Sequence, residues 1–134
     1  MISFAITWRL LEDYQGDALS WVDPDPEPLL RPYFDRLIAS LPGSPEPHSF
    51  HLYYDGKQSS QLYEEAFAPF VEETHIWQGV FLCRAPSLDS YRLVCDLCEA
   101  YILLALPPLL RELDSRARGG SFSFSHPIVR EVTL

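Results

Sequence analysis

The chain has 134 residues, of which 47% are hydrophobic and 13% aromatic, and it carries a formal net charge of -9. This composition predicts a single globular domain spanning residues 1–134 with one well-filled core, and it excludes an intrinsically disordered chain. The negative charge would repel nucleic-acid phosphates and anionic membranes. We therefore expect no nucleic-acid or membrane partner, and we expect a basic protein partner instead.

The sequence favours a cytoplasmic location. Its three cysteines give an odd number, and the first residues lack the charged and apolar regions of a secretory signal. The longest uncharged apolar run, residues 100–110, is about half the roughly 20 residues that a membrane-spanning helix needs. We therefore expect no transmembrane segment.

The N-terminal third is predicted to contain a strand, a loop and a helix. Residues 2–8 alternate between large apolar side chains and smaller or polar ones, which is the period of a strand with one buried face. Prolines at every second position from Pro24 to Pro28 favour an extended loop. From Leu29 to Leu41 the apolar residues recur at intervals of three and four, and this spacing predicts an amphipathic helix.

Two strands separated by a short helix are predicted for the middle of the chain. The first begins near Ser49 and is expected to end in a tight turn at Asp55-Gly56, while residues 60–67 are expected to be helical. The second strand covers Ile76–Cys83. Because both of its faces are largely apolar, we place it in the centre of the sheet.

A long helix is predicted from Leu88 to about Ala105. Its polar side chains form only a narrow stripe, so most of its surface requires burial, either in the core or against a second copy in a homodimer. Pro107-Pro108 is expected to kink or restart the helix, and a shorter helix is expected to continue to Arg118. Strands follow towards the C-terminus.

This order of elements predicts an α+β fold. We expect a mostly antiparallel sheet of about four to five strands, packed against two to three helices that include one long buried helix. The competing topology is a parallel α/β sheet. Its usual sign, a series of all-apolar strands each followed by a helix, is met only at Ile76–Cys83.

All of the excess negative charge lies before Arg84. Residues 1–83 hold thirteen acidic side chains and four basic ones, whereas acids and bases cancel in residues 84–134. If the fold brings the two acidic segments together, they form a surface for a basic partner, with two aromatic anchors. The predicted partner-binding residues are Glu12, Asp13, Asp17, Trp21, Asp23, Asp25, Glu27, Tyr63, Glu64, Glu65, Glu72 and Glu73. The alternative is an ordinary solvated surface that keeps the protein soluble.

Two short motifs contain residue types that occur in catalytic or metal sites. The spacing of Cys95 and Cys98 occurs in redox and zinc sites, but these cysteines lie inside a predicted helix and no second pair of ligands accompanies them, which favours buried apolar residues. Glu72, Glu73 and His75 include the side-chain types of general acid-base catalysis, without a nucleophile or phosphate loop nearby. The sequence therefore predicts no catalytic residue, metal or cofactor.

These observations favour a small cytoplasmic inhibitor, or immunity protein, that neutralises a basic toxin or effector by protein–protein contact. One alternative is a phage-type inhibitor that imitates nucleic-acid charge, which requires carboxylates spaced evenly over one face. Another is a small enzyme or ligand-binding domain with a site near Glu72, Glu73 and His75.

Overall fold

The structure is a computed structural model, and it describes residues 1–42, 48–63 and 70–132. The described residues form five strands and two α-helices. In chain order these are β1 (Ile2–Gly16), α1 (Glu27–Ser40), β2 (Ser49–Tyr63), β3 (Phe70–Ala85), α2 (Leu88–Arg116), β4 (Gly120–Phe124) and β5 (Ile128–Glu131). A short 3-10 helix, Ala18–Ser20, precedes α1.

The strands form one antiparallel sheet in the order β2-β3-β1-β4, and β5 pairs with the same edge of β1 as β4 does, nearer the start of that strand. β1 and β3 pair along their whole length, from Ile2 opposite Ala85 to Gly16 opposite Val71. The predicted α+β class, with a mostly antiparallel sheet, is confirmed. The predicted internal position of the strand at Ile76–Cys83 is also confirmed, because β3 lies between β2 and β1.

Both helices pack on the same side of the sheet, which we call the covered face. In β1 this face carries the even-numbered residues, and those from Phe4 to Tyr14 are buried, as the period-two pattern predicts for Phe4, Ile6 and Trp8. Phe34 of α1 contacts the rings of Phe50 and Phe81 at centroid distances of 5.0 and 5.5 Å. α2 adds a row of fully buried side chains that includes Ile102.

The opposite side, which we call the open face, has no helix packed on it among the described residues. It carries the odd-numbered residues of β1, among them the exposed Arg9 and Asp13. On β3, the residues of this face between Glu72 and Leu82 are half-buried, Ile76 and Val80 among them. A sheet with one covered and one open face is the usual arrangement of an antiparallel α+β domain.

Two sequence predictions for β2 are wrong. Asp55-Gly56 is not a turn: β2 continues to Tyr63, and the pairing with β3 shifts by one residue between Tyr54 and Gly56. Gly56 has a φ of 116°, so its conformational freedom serves a β-bulge inside the strand. The helix expected over residues 60–67 is a strand as far as Tyr63, and its remainder lies outside the described residues.

The prediction that Pro107-Pro108 restarts the C-terminal helix is also wrong, because α2 runs as one helix from Leu88 to Arg116. It is long and apolar enough to span a membrane, and 33% of its most apolar stretch is buried. The core helix of a soluble protein meets the same criterion, and the packing of α2 on the sheet is compatible with a soluble protein. Its outer surface exposes Leu93, Leu97 and Leu104.

Candidate functional site at the acidic end of the sheet

The pairing of β1 with β3 brings the two acidic segments of the sequence together. Gln15 lies opposite Glu72, and Tyr14 lies opposite Glu73, at the end of the sheet where β1 finishes and β3 begins. We call this region the acidic end. Because successive residues of a strand point to opposite faces, its carboxylates divide into two groups. Asp13 and Glu72 lie on the open face, whereas Glu12 and Glu73 lie on the covered face.

Glu12 is fully buried on the covered face. The Nε1–H of Trp77 donates a hydrogen bond to its Oε1 at 2.7 Å, and the hydroxyl of Tyr14 lies 3.1 Å from its Oε2. Glu12 continues the inward-facing positions of β1 beyond Leu10. The core of the protein therefore passes into a polar cluster at this end of the sheet.

The segment after β1 folds back over this cluster. The hydroxyl of Tyr14 lies 3.1 Å from Oδ1 of Asp23, and the indole Nε1–H of Trp21 donates to the carbonyl of Gln15 at 3.0 Å. A backbone bridge between Val22 and Arg118 ties the segment to the residues after α2. Segment and sheet are thus joined through the side chains of Tyr14 and Trp21.

Burial and a neighbouring acid change the titration of the cluster. The pKa of Glu12 is raised to about 9, mainly because burial disfavours its charged form. A hydrogen bond with Asp23 and the negative charge of Asp23 raise it further. The pKa of Tyr14 is also raised, first by burial and then by the negative charges of Glu12 and Asp23. At neutral pH the Glu12 carboxyl is therefore protonated and contributes no negative charge.

His75 lies at the solvent side of the same cluster. Its ring nitrogens are 3.7 Å from Oδ2 of Asp23 and 3.4 Å from Oε1 of Glu73. Lys57, on the neighbouring strand β2, places its Nζ 2.9 Å from the same Glu73 oxygen. The hydroxyl of Tyr54 lies 3.4 Å from Nδ1 of His75. The negative charge of the covered-face acids is therefore reduced by the proton on Glu12 and by the ammonium group of Lys57.

The acids of the open face lack such compensation. Oδ1 of Asp13 accepts a hydrogen bond from the Thr74 hydroxyl at 2.7 Å, and among the described residues neither Asp13 nor Glu72 forms an ion pair. As diagonal neighbours on adjacent strands, these two residues lie about 7 to 8 Å apart. Uncompensated negative charge at this end is therefore concentrated on the open face.

Two shallow clefts flank Asp13 and Thr74. One, of about 330 Å³, is lined by Gln58, Ser59, Glu72 and Thr74. The other, of about 380 Å³, lies beside Asp13 and is bordered by the backbone of Gly119 and Gly120. Each cleft therefore has one carboxylate in its wall, Glu72 in the first and Asp13 in the second.

The remaining predicted partner-binding residues either form local contacts or lie outside the described residues. Asp17 and Asp25 are exposed and accept hydrogen bonds from nearby backbone N–H groups, and Glu27 pairs with Arg31 at 2.7 Å. For Tyr63 the backbone alone is described, as the last residue of β2, and Glu64 and Glu65 lie outside the described residues. The full burial of Glu12 places it beneath the surface on which the sequence prediction put it.

Sequence reasoning missed four members of the covered-face cluster: Tyr14, Tyr54, Lys57 and Trp77. The alternation of Phe4, Ile6, Trp8 and Leu10 does continue through positions 12 and 14, and it would have placed Glu12 and Tyr14 facing inward. Tyr54 and Lys57 on β2 and Trp77 on β3 join the cluster because of the register in which these strands pair. No local pattern in a single sequence specifies that register.

The cysteines belong to the core and its margin. Cys83 and Cys98 are buried, Cys95 is half-buried, and all three are free thiols. A hydrogen bond with Cys83, together with burial, raises the pKa of Cys98. Within the described part of the chain, no group of three or more His, Cys, Asp or Glu side chains has the arrangement of a metal site.

No protein-family model and no curated protein matches the chain. The fold and site define an α+β domain with one open sheet face that is acidic at one end.

Proposed function

We propose that this chain is a small inhibitor-type binding protein that neutralises a basic protein, such as a toxin, by covering part of its surface. The observation that carries the proposal is the uncompensated charge of Asp13 and Glu72 on the open face. Exposed carboxylates attract lysine and arginine side chains and accelerate association with a basic partner.

The neighbouring side chains supply the other parts of a protein-binding surface. Leu11 lies directly opposite Ile76 on the open face, one step from Asp13, and both residues are partly exposed. Protein interfaces commonly combine an apolar centre with a charged rim. The hydrogen bond from Thr74 also fixes the Asp13 carboxylate, which reduces the entropy lost on binding.

The two alternatives from the sequence are less well supported. Glu73 and His75 do come together, but Glu72 lies on the opposite face, and the unusual acid Glu12 is fully buried and out of reach of a substrate. Imitation of nucleic acid requires an even row of carboxylates, whereas β1 carries Arg9 on the same face as Asp13. Binding to a basic protein therefore remains the proposal.

We also propose that the protein acts in the cytoplasm. Its three free thiols, two of them buried in the core, suit a reducing compartment. A basic toxin produced in the same cell would be met there before it reached its target.

The test is affinity capture from extracts of the source cells with two matched variants. Asp13→Asn with Glu72→Gln removes the two open-face charges, and Asp96→Asn with Glu99→Gln removes two charges from α2, away from the open face. We expect the wild type and the α2 variant to retain the same basic protein, and the open-face variant to retain at least tenfold less of it. Equal retention by all three proteins would contradict the proposal.

A further inference from the structure

A cleft of about 270 Å³ lies on the open face beside Thr7, Arg9 and Gln78, near the middle of β1 and β3. It forms where the two outer strands separate: β4 pairs with β1 from Leu10 onward, and β5 pairs with β1 only up to Thr7. The residues that line it are Thr7, Trp8, Arg9, Gln78, Ser125, Ile128 and Arg130.

Among the described residues, the hydrogen bonds present in the cleft use acceptor atoms and leave donors free. Oγ of Ser125 accepts from the backbone N–H of Arg9 at 2.7 Å, and Oε1 of Gln78 accepts from the Tyr53 hydroxyl at 2.6 Å. What remains is the hydroxyl hydrogen of Ser125 and the amide NH₂ of Gln78, and the hydroxyl of Thr7 adds a third donor. The lining is therefore rich in donors.

The two arginines add positive charge to these donors. Among the described residues, neither Arg9 nor Arg130 forms an ion pair, although the chain as a whole carries a net charge of -9. Each guanidinium presents five N–H donors in a planar fork, which matches the oxygens of a phosphate or carboxylate. Such a concentration of donors and positive charge in one concave site is the chemistry of an anion site.

We propose that this cleft binds a phosphate group, either as free phosphate or as part of a phosphorylated molecule. Two guanidinium groups balance the charge of nearly -2 that a phosphate monoester carries at neutral pH. Its three terminal oxygens also use more donors than the two oxygens of a carboxylate. The site goes beyond the proposed function, because it uses none of the carboxylates assigned to the basic partner.

Isothermal titration calorimetry with inorganic phosphate, in a phosphate-free buffer of constant ionic strength, tests the site. Titrations with phosphoserine and with serine distinguish the sources: binding of both phosphate and phosphoserine supports a site for the group itself, and binding of phosphoserine alone supports a site that also contacts the organic part. Serine and chloride are expected not to bind. If neither phosphate nor phosphoserine binds, or if chloride competes equally well, the proposal is wrong.

Variants locate the site. Arg9→Gln and Arg130→Gln are each expected to weaken binding about tenfold or more, and Arg92→Gln, an exposed position on α2, is the matched control. Should a glutamine variant fail to fold, Arg9→Lys and Arg130→Lys keep the charge but lose the fork, and weaker binding is again expected. Unchanged affinity in folded variants at both positions would overturn the assignment.

Discussion

Glu12 gives the covered-face cluster a clear dependence on pH. Its pKa is raised to about 9 in the folded protein, against an ordinary value of 4.5. Between these two values the folded chain holds a proton that the unfolded chain releases. The contribution of Glu12 to stability is therefore greatest below about pH 4.5, and it falls as the pH rises towards 9.

Replacement of Glu12 by glutamine removes this dependence. Glu12→Gln keeps a side chain of the same shape that can donate to Asp23 and accept from Trp77, but it needs no proton. We expect the variant to be more stable than the wild type by about 4 kcal/mol at pH 7.5, and to differ little at pH 4.5. Urea denaturation at the two pH values measures the difference.

A control separates this effect from general charge removal. Asp96→Asn removes an exposed carboxylate on α2, and we expect it to change stability by less than about 0.5 kcal/mol at either pH. A Glu12→Gln variant that is less stable than the wild type at pH 7.5, or equally stabilised at both pH values, would contradict the assigned burial of Glu12.

Tyr14 joins the sheet to the segment that follows β1. Its hydroxyl lies within 3.4 Å of Glu12, Asp23 and the Val22 carbonyl. Tyr14→Phe is therefore expected to lower the free energy of unfolding by about 1 to 3 kcal/mol and to increase hydrogen exchange of the Trp21 indole N–H. The control Tyr53→Phe removes an exposed hydroxyl, and equal effects of the two variants would argue against this role for Tyr14.

At the residue scale, the sequence identified the acidic residues of the site, but it did not predict which face of the sheet each one occupies. The sequence left open whether the acidic segments that contain Asp13, Asp23, Glu72 and Glu73 come together, and these residues meet at one end of the sheet. Their division between two faces depends on how far β1 extends beyond Trp8. Acidic residues late in a strand lower its apparent propensity, so the local pattern ended the strand too early.

At the element scale, α2 shows how tertiary packing overrides a local signal. Pro107 and Pro108 lack N–H groups, so the carbonyls of Leu103 and Leu104 lose their helical donors. Leu104 is 78% exposed, which gives this side of the helix access to water. Buried residues before and after the prolines, Leu106 and Leu110 among them, hold both halves on the sheet as one helix.

Two substitutions on α2 test this packing. Leu106→Ala removes a fully buried side chain, and we expect it to lower the free energy of unfolding by about 2 to 5 kcal/mol. Leu104→Ala makes the same chemical change on the outer surface of α2. We expect it to change the free energy of unfolding of the monomer by less than about 0.5 kcal/mol. Thermal or urea denaturation compares them.

If Leu104→Ala lowered the free energy of unfolding of the monomer as much as Leu106→Ala does, the assignment of Leu104 to the exposed side of α2 would be wrong. A destabilisation at Leu104 that grows with protein concentration would instead support the homodimer that the sequence left open, because association contributes to stability through mass action.

The same scale shows why β2 was mispredicted. Asp55-Gly56 fits both a hairpin turn and a bulge, since each requires a positive φ at the glycine. A bulge forms here because β3, which has sixteen residues, is long enough to pair with β2 both before Tyr54 and after Gly56. A single sequence does not reveal that partner, whereas the class of fold follows from the number and order of elements.

For the whole molecule, the central feature is the charge distribution on the open face. The sequence located the excess negative charge before Arg84, but the strand period and the pairing of β1 with β3 decide which carboxylates remain uncompensated. Arg9 and Asp13 are four residues apart on the same strand, and thus about 13 Å apart. The face therefore has an acidic end and a basic cleft, which would orient a partner as well as attract it.

The most direct test of the proposed binding surface is the association rate of the captured basic partner, measured at several salt concentrations. For the wild type and for Asp96→Asn with Glu99→Gln, we expect a steep fall in rate as salt rises. For Asp13→Asn with Glu72→Gln, we expect a rate about tenfold lower at low salt and a shallower dependence. Identical rates and salt dependence for the two double variants would show that the acidic end of the open face is not the binding surface.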